Sequence, residues 1–168
     1  MQLTRIFALI GVVFGAVFVF ANASGLPETL AWPVRILGAL LAVSAVWFGI
    51  IRRPTEAGDP PEPSSVRTYW IAVAAQFVAI PAGAAVLNAF DLSALVLPWV
   101  VFVVGAHFLP AKAFGVGRWW QLGISLVMLG VVGALGAALI SPMFAPICGV
   151  GAGYILLAFV SVPRWSSA

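Results

Sequence analysis

The sequence predicts an all-α, polytopic membrane protein: six transmembrane helices in one bundle, with both termini in the cytoplasm. Three observations carry this. The chain is 63% hydrophobic and only 8% charged, with a mean hydropathy of +1.14, whereas a soluble domain carries about 25% charged residues. Water cannot hold such a surface, so the solvent is lipid. Six stretches approach the ~20 apolar residues that a bilayer crossing needs. When they are threaded alternately, the basic residues collect on one side.

The first stretch, Thr4–Ala21, poses a question of its own. Arg5 precedes the apolar run Ile6 to Phe20, and Ala21-Asn22-Ala23 is a small-x-small triplet of the kind a signal peptidase cuts. The weakly basic start favours a retained helix. So does the small-xxx-small face of Gly11 and Gly15, which suits close helix packing. Asn22-Ala23-Ser24 fits the N-x-S acceptor pattern, but it lies against the membrane. The second stretch is Pro33–Ile51. The segment 52–67, "RRPTEAGDPPEPSSVR", is rich in proline and charge and reads as a flexible cytoplasmic loop. The remaining stretches are Tyr69–Phe90, Leu92–Phe108, Trp119–Ile140 and Met143–Val162. Pro33, Pro98 and Pro142 stand where proline is tolerated, at helix starts. Pro110 must disturb the end of the fourth helix, because it lacks an N–H and clashes with the preceding turn. The chain 1–168 is thus one transmembrane helical domain with one loop.

With the N-terminus inside, the cytoplasmic side carries Arg5, Arg52, Arg53, Arg67, Lys112, Arg118 and Arg164, and the outer side carries Glu28 and Asp91. Arg35 is the basic exception. Trp32, Trp70, Trp119, Trp120 and Trp165 fall near helix ends, as an aromatic belt does. Trp47 and Trp99 lie further in and are candidates to wall a pocket.

Polar groups in lipid are costly and ask for a partner or a purpose. Ser44, Gln76, His107, Ser125 and Tyr154 fall at a similar level, roughly 5–12 Å below the inner boundary at 1.5 Å per residue. Facing inward, they would line a polar pocket open to the cytoplasm. Structural readings stand beside this: serine can bond its own backbone, tyrosine favours interfaces, and Gln76 can pair with His107. A second cluster, Glu28, Arg35, Asn88 and Asp91, lies outside. There Arg35 snorkels to the interface, with Glu28 or Asp91 as its partner, and the cluster reads first as a clamp between helices.

His107 is the only histidine, and its ordinary pKa near 6.5 permits proton exchange near neutrality. It stands in "VVGAHFLPAKAF". This run resembles the Gly-x-His-Phe-x-Pro segment of small bacterial integral membrane proteins. The resemblance implies a multi-pass protein of the bacterial cytoplasmic (inner) membrane and carries no particular activity with it.

The absences narrow the function. The spans carry no Asp, Glu or Lys in their middles, which argues against a proton-coupled pump. There is no H-E-x-x-H, no G-x-S-x-G, no P-loop and no second cysteine beside Cys148. One histidine makes no metal centre, so no cofactor and no metal are expected. The basic residues are dispersed, which excludes nucleic acid as a partner. The lipid bilayer is the expected partner. The leading reading is binding or transport of a small, mostly apolar or neutral molecule in the inner pocket. One alternative is an accessory or structural subunit, homo-oligomeric or docked on another membrane protein through Gly123, Gly130, Gly133 and Gly136. Another is a membrane-embedded enzyme acting on a lipid with His107 as acid or base.

Overall fold

The computed structural model describes residues 3–52, 63–110 and 119–162, and among them all regular structure is helical. The helices are α1 (Leu3–Ala23), α2 (Glu28–Val46), α3 (Pro63–Ala89), α4 (Val96–Ala106), α5 (Trp119–Leu139) and α6 (Phe144–Ser161). Four apolar stretches are long enough to cross a membrane: Glu28–Ile51, Trp70–Ala89, Trp119–Leu139 and Phe144–Ser161. Ala8–Ala23 and Ser93–Ala106 are shorter apolar helices.

Several boundaries move from their predicted places. α2 starts at Glu28, where the Pro27 carbonyl accepts the N–H groups of Leu30 and Ala31 at 2.8 and 2.9 Å. Pro33 therefore lies inside the helix rather than at its start. It lacks the N–H that would have met the Thr29 carbonyl. α2 then widens into a π-turn over Trp47–Ile51, with the Arg52 N–H bonded to the Trp47 carbonyl at 2.8 Å. α3 begins at Pro63, so the last part of the predicted loop 52–67 is helix. Proline favours the first helical position because its φ is already set. The loop's remaining residues, 53–62, lie outside the described residues. α4 ends at Ala106, ahead of Pro110; His107 and Phe108 form a turn, and Leu109 and Pro110 follow in a 3-10 turn. α6 starts at Phe144, one residue after the predicted Met143, and in the turn before it Ser141 Oγ accepts the Met143 N–H at 3.3 Å.

The chain divides into two compact units, Met1–Ala57 with Val150–Ala168, and Gly58–Gly149, the division falling inside α6. The first unit packs α1 and α2 with the later part of α6. Its core holds Ala8, Val12, Val19, Ala45, Leu157 and Val160. Glycine sets the approach of α1 to α6. A Cβ on Gly153 would lie 2.6 Å from the Gly15 carbonyl oxygen, and one on Gly15 would lie 3.1 Å from the Gly153 carbonyl oxygen. Gly11 faces Val160 in the same way. The predicted small-xxx-small face of α1 is thus in use. Asn22 and Ala23 lie in the last turn of α1; the Asn22 side-chain amide donates to the Phe18 carbonyl at 2.8 Å, and Ala23 is fully buried.

The second unit packs α3, α4 and α5 with the first turn of α6. α4 lies directly on α5. A Cβ on Gly105 would meet the Val127 amide nitrogen at 2.6 Å and the Gly123 carbonyl oxygen at 2.9 Å, and one on Gly130 would meet the Phe102 amide nitrogen at 2.7 Å. α3 is tied to α4 by Trp99, whose indole N–H donates to the Ala79 carbonyl at 3.0 Å while the ring lies over Gly83.

α3 ends in a Schellman turn. The Leu92 N–H bonds the Leu87 carbonyl at 2.8 Å and the Asp91 N–H bonds the Asn88 carbonyl at 3.1 Å. This requires a left-handed residue at Asp91, whose φ is 57°. Asp tolerates that conformation better than most residues, but glycine adopts it without steric cost. Asp91→Gly is expected to raise stability by roughly 0.5–1 kcal/mol, read as a later midpoint of unfolding in detergent. A lowered midpoint would mean that the carboxylate itself makes a stabilising contact.

Candidate functional site

The outer cluster resolves into separate tasks. Arg35 lies over the ring of Trp32, one turn earlier on α2, with its guanidinium carbon 5.7 Å from the ring centroid. Glu28, expected as its partner, lies about 10 Å further along the helix axis. It is exposed. The Arg–Trp pair is a cation–π contact of the interfacial kind. Asn88 and Asp91 are exposed and serve the turn that ends α3. Glu28 and Arg35 belong to the first unit, and Asn88 and Asp91 to the second.

The five inner residues divide between the two units, Ser44 and Tyr154 in the first, Gln76, His107 and Ser125 in the second. In the first unit the Tyr154 hydroxyl donates to the Val34 carbonyl at 2.8 Å, joining α6 to α2. Val34 lies about 15 Å along α2 from Ser44, so this hydroxyl and Ser44 do not converge. Tyr154 is a packing residue with a satisfied polar tip. Tyr154→Phe is expected to cost about 0.6–1 kcal/mol of stability, read by thermal unfolding, and to leave ligand retention unchanged.

In the second unit Ser125 is exposed, on a different side of α5 from buried Leu122 and Leu126. Its predicted inward orientation came from depth alone, and depth does not fix the side of a helix. Gln76 is half-buried on α3. The expected Gln76–His107 bond is replaced by one within α4: His107 Nδ1 lies 2.6 Å from the Val104 carbonyl oxygen. A carbonyl only accepts, so in the neutral ring Nδ1 carries the hydrogen and Nε2 is an acceptor. Among the described residues nothing bonds Nε2.

His107 is the residue at which α4 stops. Its own N–H bonds the Val103 carbonyl at 3.2 Å, and the Phe108 N–H bonds the Gly105 carbonyl at 3.1 Å as the chain turns. The imidazole centroid is 3.8 Å from that of Phe108, tilted by 42°. Phe108 in turn stacks on Trp119, 5.6 Å away at 25°. The site is therefore one acceptor nitrogen against an aromatic wall. Phe108 and Trp119 escape a sequence reading, which treats Trp119 as belt and Phe108 as generic apolar surface. The one available signal is that each borders the segment 109–118 from opposite ends.

Two further residues are placed by the structure. Trp99 anchors α3 to α4. Cys148 is buried against Gly133, with its sulfur 3.5 Å from the Leu129 carbonyl oxygen, as a packing residue. Among the described residues, no three His, Cys, Asp or Glu side chains gather to hold a metal ion.

No protein-family model matches this chain, and neither the curated proteins nor the solved structures include a match.

Proposed function

We propose that this is a multi-pass protein of the bacterial inner membrane, crossing six times with both termini inside. On this reading it binds or transports a small, mostly apolar or neutral molecule at a cytoplasm-facing site centred on His107. The observation that carries the proposal is where α4 stops. The apolar helix Ser93–Ala106 spans roughly 21 Å. The hydrocarbon core is about 30 Å thick. If Ser93 lies at the outer boundary, the turn at His107 and Phe108 comes roughly 5–9 Å before the inner one. Non-helical backbone at that depth is tolerated where it is buried in protein or lines a water-filled cavity.

The alternatives have less support. The subunit reading needs Gly123, Gly130, Gly133 and Gly136 as an open groove. Those glycines are already covered by Gly105 with Leu109, Phe102, Cys148 and Phe144 respectively, all of the same unit. The enzyme reading needs a second ionisable group within about 3 Å of His107. Lys112, its sequence candidate, lies outside the described residues.

Native mass spectrometry of gently extracted protein tests the proposal. A non-lipid species is expected to co-purify with the wild type, to fall by about tenfold or more in His107→Ala, and to persist in Ser44→Ala. A wild type carrying only ordinary lipids, or a species retained equally in all three proteins, would overturn it.

A further inference from the structure

We propose that the His107 site selects a neutral molecule donating a hydrogen bond from a hydroxyl on a flat, apolar ring system; this rests on the binding reading above. The Val104 carbonyl fixes which nitrogen carries the ring hydrogen. That leaves Nε2 as a lone-pair acceptor with no partner among the described residues. A bound molecule must therefore bring the proton. The neighbouring faces are aromatic: Phe108 lies against the imidazole and Trp119 against Phe108. Flat rings find offset or tilted stacking there, in the geometry that aromatic groups prefer.

Charged molecules fit less well. In this unit the acidic side chain among the described residues is Asp91, at the other end of α4, roughly 20 Å along the axis. A cation would have no countercharge within reach among the described residues of this unit. An anion would present its lone pairs to the lone pair of Nε2. A hydroxyl on an aromatic ring meets both features at once: one proton for Nε2 and one face for the rings.

The chain's single histidine makes the test selective. Protein in lipid nanodiscs, labelled with 15N in the histidine ring, is titrated with a naphthol and separately with its methyl ether, at about pH 8, where an ordinary imidazole is neutral. The two probes differ in one donor proton. The naphthol is expected to bind roughly three- to tenfold more tightly and to move the Nε2 resonance, while the ether leaves it in place. His107→Phe keeps an aromatic ring without the acceptor, and it is expected to erase the difference between probes.

Equal affinities, an unmoved Nε2 resonance, or no binding of either probe would overturn the hydroxyl-donor class. If that happens while a co-purified species still depends on His107, the binding reading stands and the ligand class falls. If nothing depends on His107, both fall.

Discussion

Replacing Gly105 with valine is expected to break the packing of the second unit. The smallest side-chain atom at this position would lie 2.6 Å from one backbone atom of α5 and 2.9 Å from another. Neither can swing aside as a side-chain tip can. α4 and α5 must then separate along their length, and the fit around Phe102 and Gly130 goes with them. Overpacking of this kind costs about 3 kcal/mol, and here the obstacle is main chain. Thermal unfolding in detergent should show the loss. Ile124→Val, on an exposed face of α5, should change the midpoint little. A Gly105→Val midpoint within about 1 kcal/mol of wild type would mean that the two helices are not in backbone contact. Because α4 carries His107 at its end, the same substitution should also abolish ligand retention.

Gly153→Val is expected to act comparably in the first unit. Its Cβ would stand 2.6 Å from the Gly15 carbonyl oxygen and 2.8 Å from the Val19 amide nitrogen, displacing α1 from α6. Val19 is fully buried, so its contacts go as well. The cost is again about 3 kcal/mol, read as a lower unfolding midpoint and faster proteolysis. Since Gly15 and Gly153 touch through the same crossing, adding Gly15→Val should cost less than the two single changes summed. Full additivity would place the two glycines in independent contacts.

The helical class and the lipid setting were legible because they follow from composition, and composition survives any rearrangement of the chain. The Gly11–Gly15 face was legible for a similar reason, since small residues one turn apart have few other uses in an apolar helix. Boundaries were less so. Pro33 looked like a start, but Pro27 had already capped the helix, and a proline within the first turns of a helix costs little beyond one hydrogen bond. The π-turn at Trp47–Ile51 leaves no mark in "WFGII", although Gly49 within it packs on Val160.

The candidate site was legible only in part. His107 stood out by type, and Pro110 announced that the helix must end near it. The other four polar residues were grouped by depth. Depth says nothing of which way a side chain points or what already satisfies it. Tyr154 is bonded to Val34, and Ser125 is exposed on α5. Asp91 was read as charge, whereas its left-handed backbone gives it a turn-forming role.

The proposed cytoplasmic orientation of the His107 site depends on whether α4 crosses the membrane, and α4 is the shortest of the described α-helices. The residue that reports on this is Ser141, in the connection between α5 and α6. A single cysteine is placed there, with Cys148 replaced by alanine, and cells are treated with a membrane-impermeant thiol reagent. Six crossings with both termini inside put Ser141 outside, so labelling of intact cells is expected. Labelling only after the membrane is opened would mean that α4 turns back, that His107 faces outward, and that the proposed site does not open to the cytoplasm.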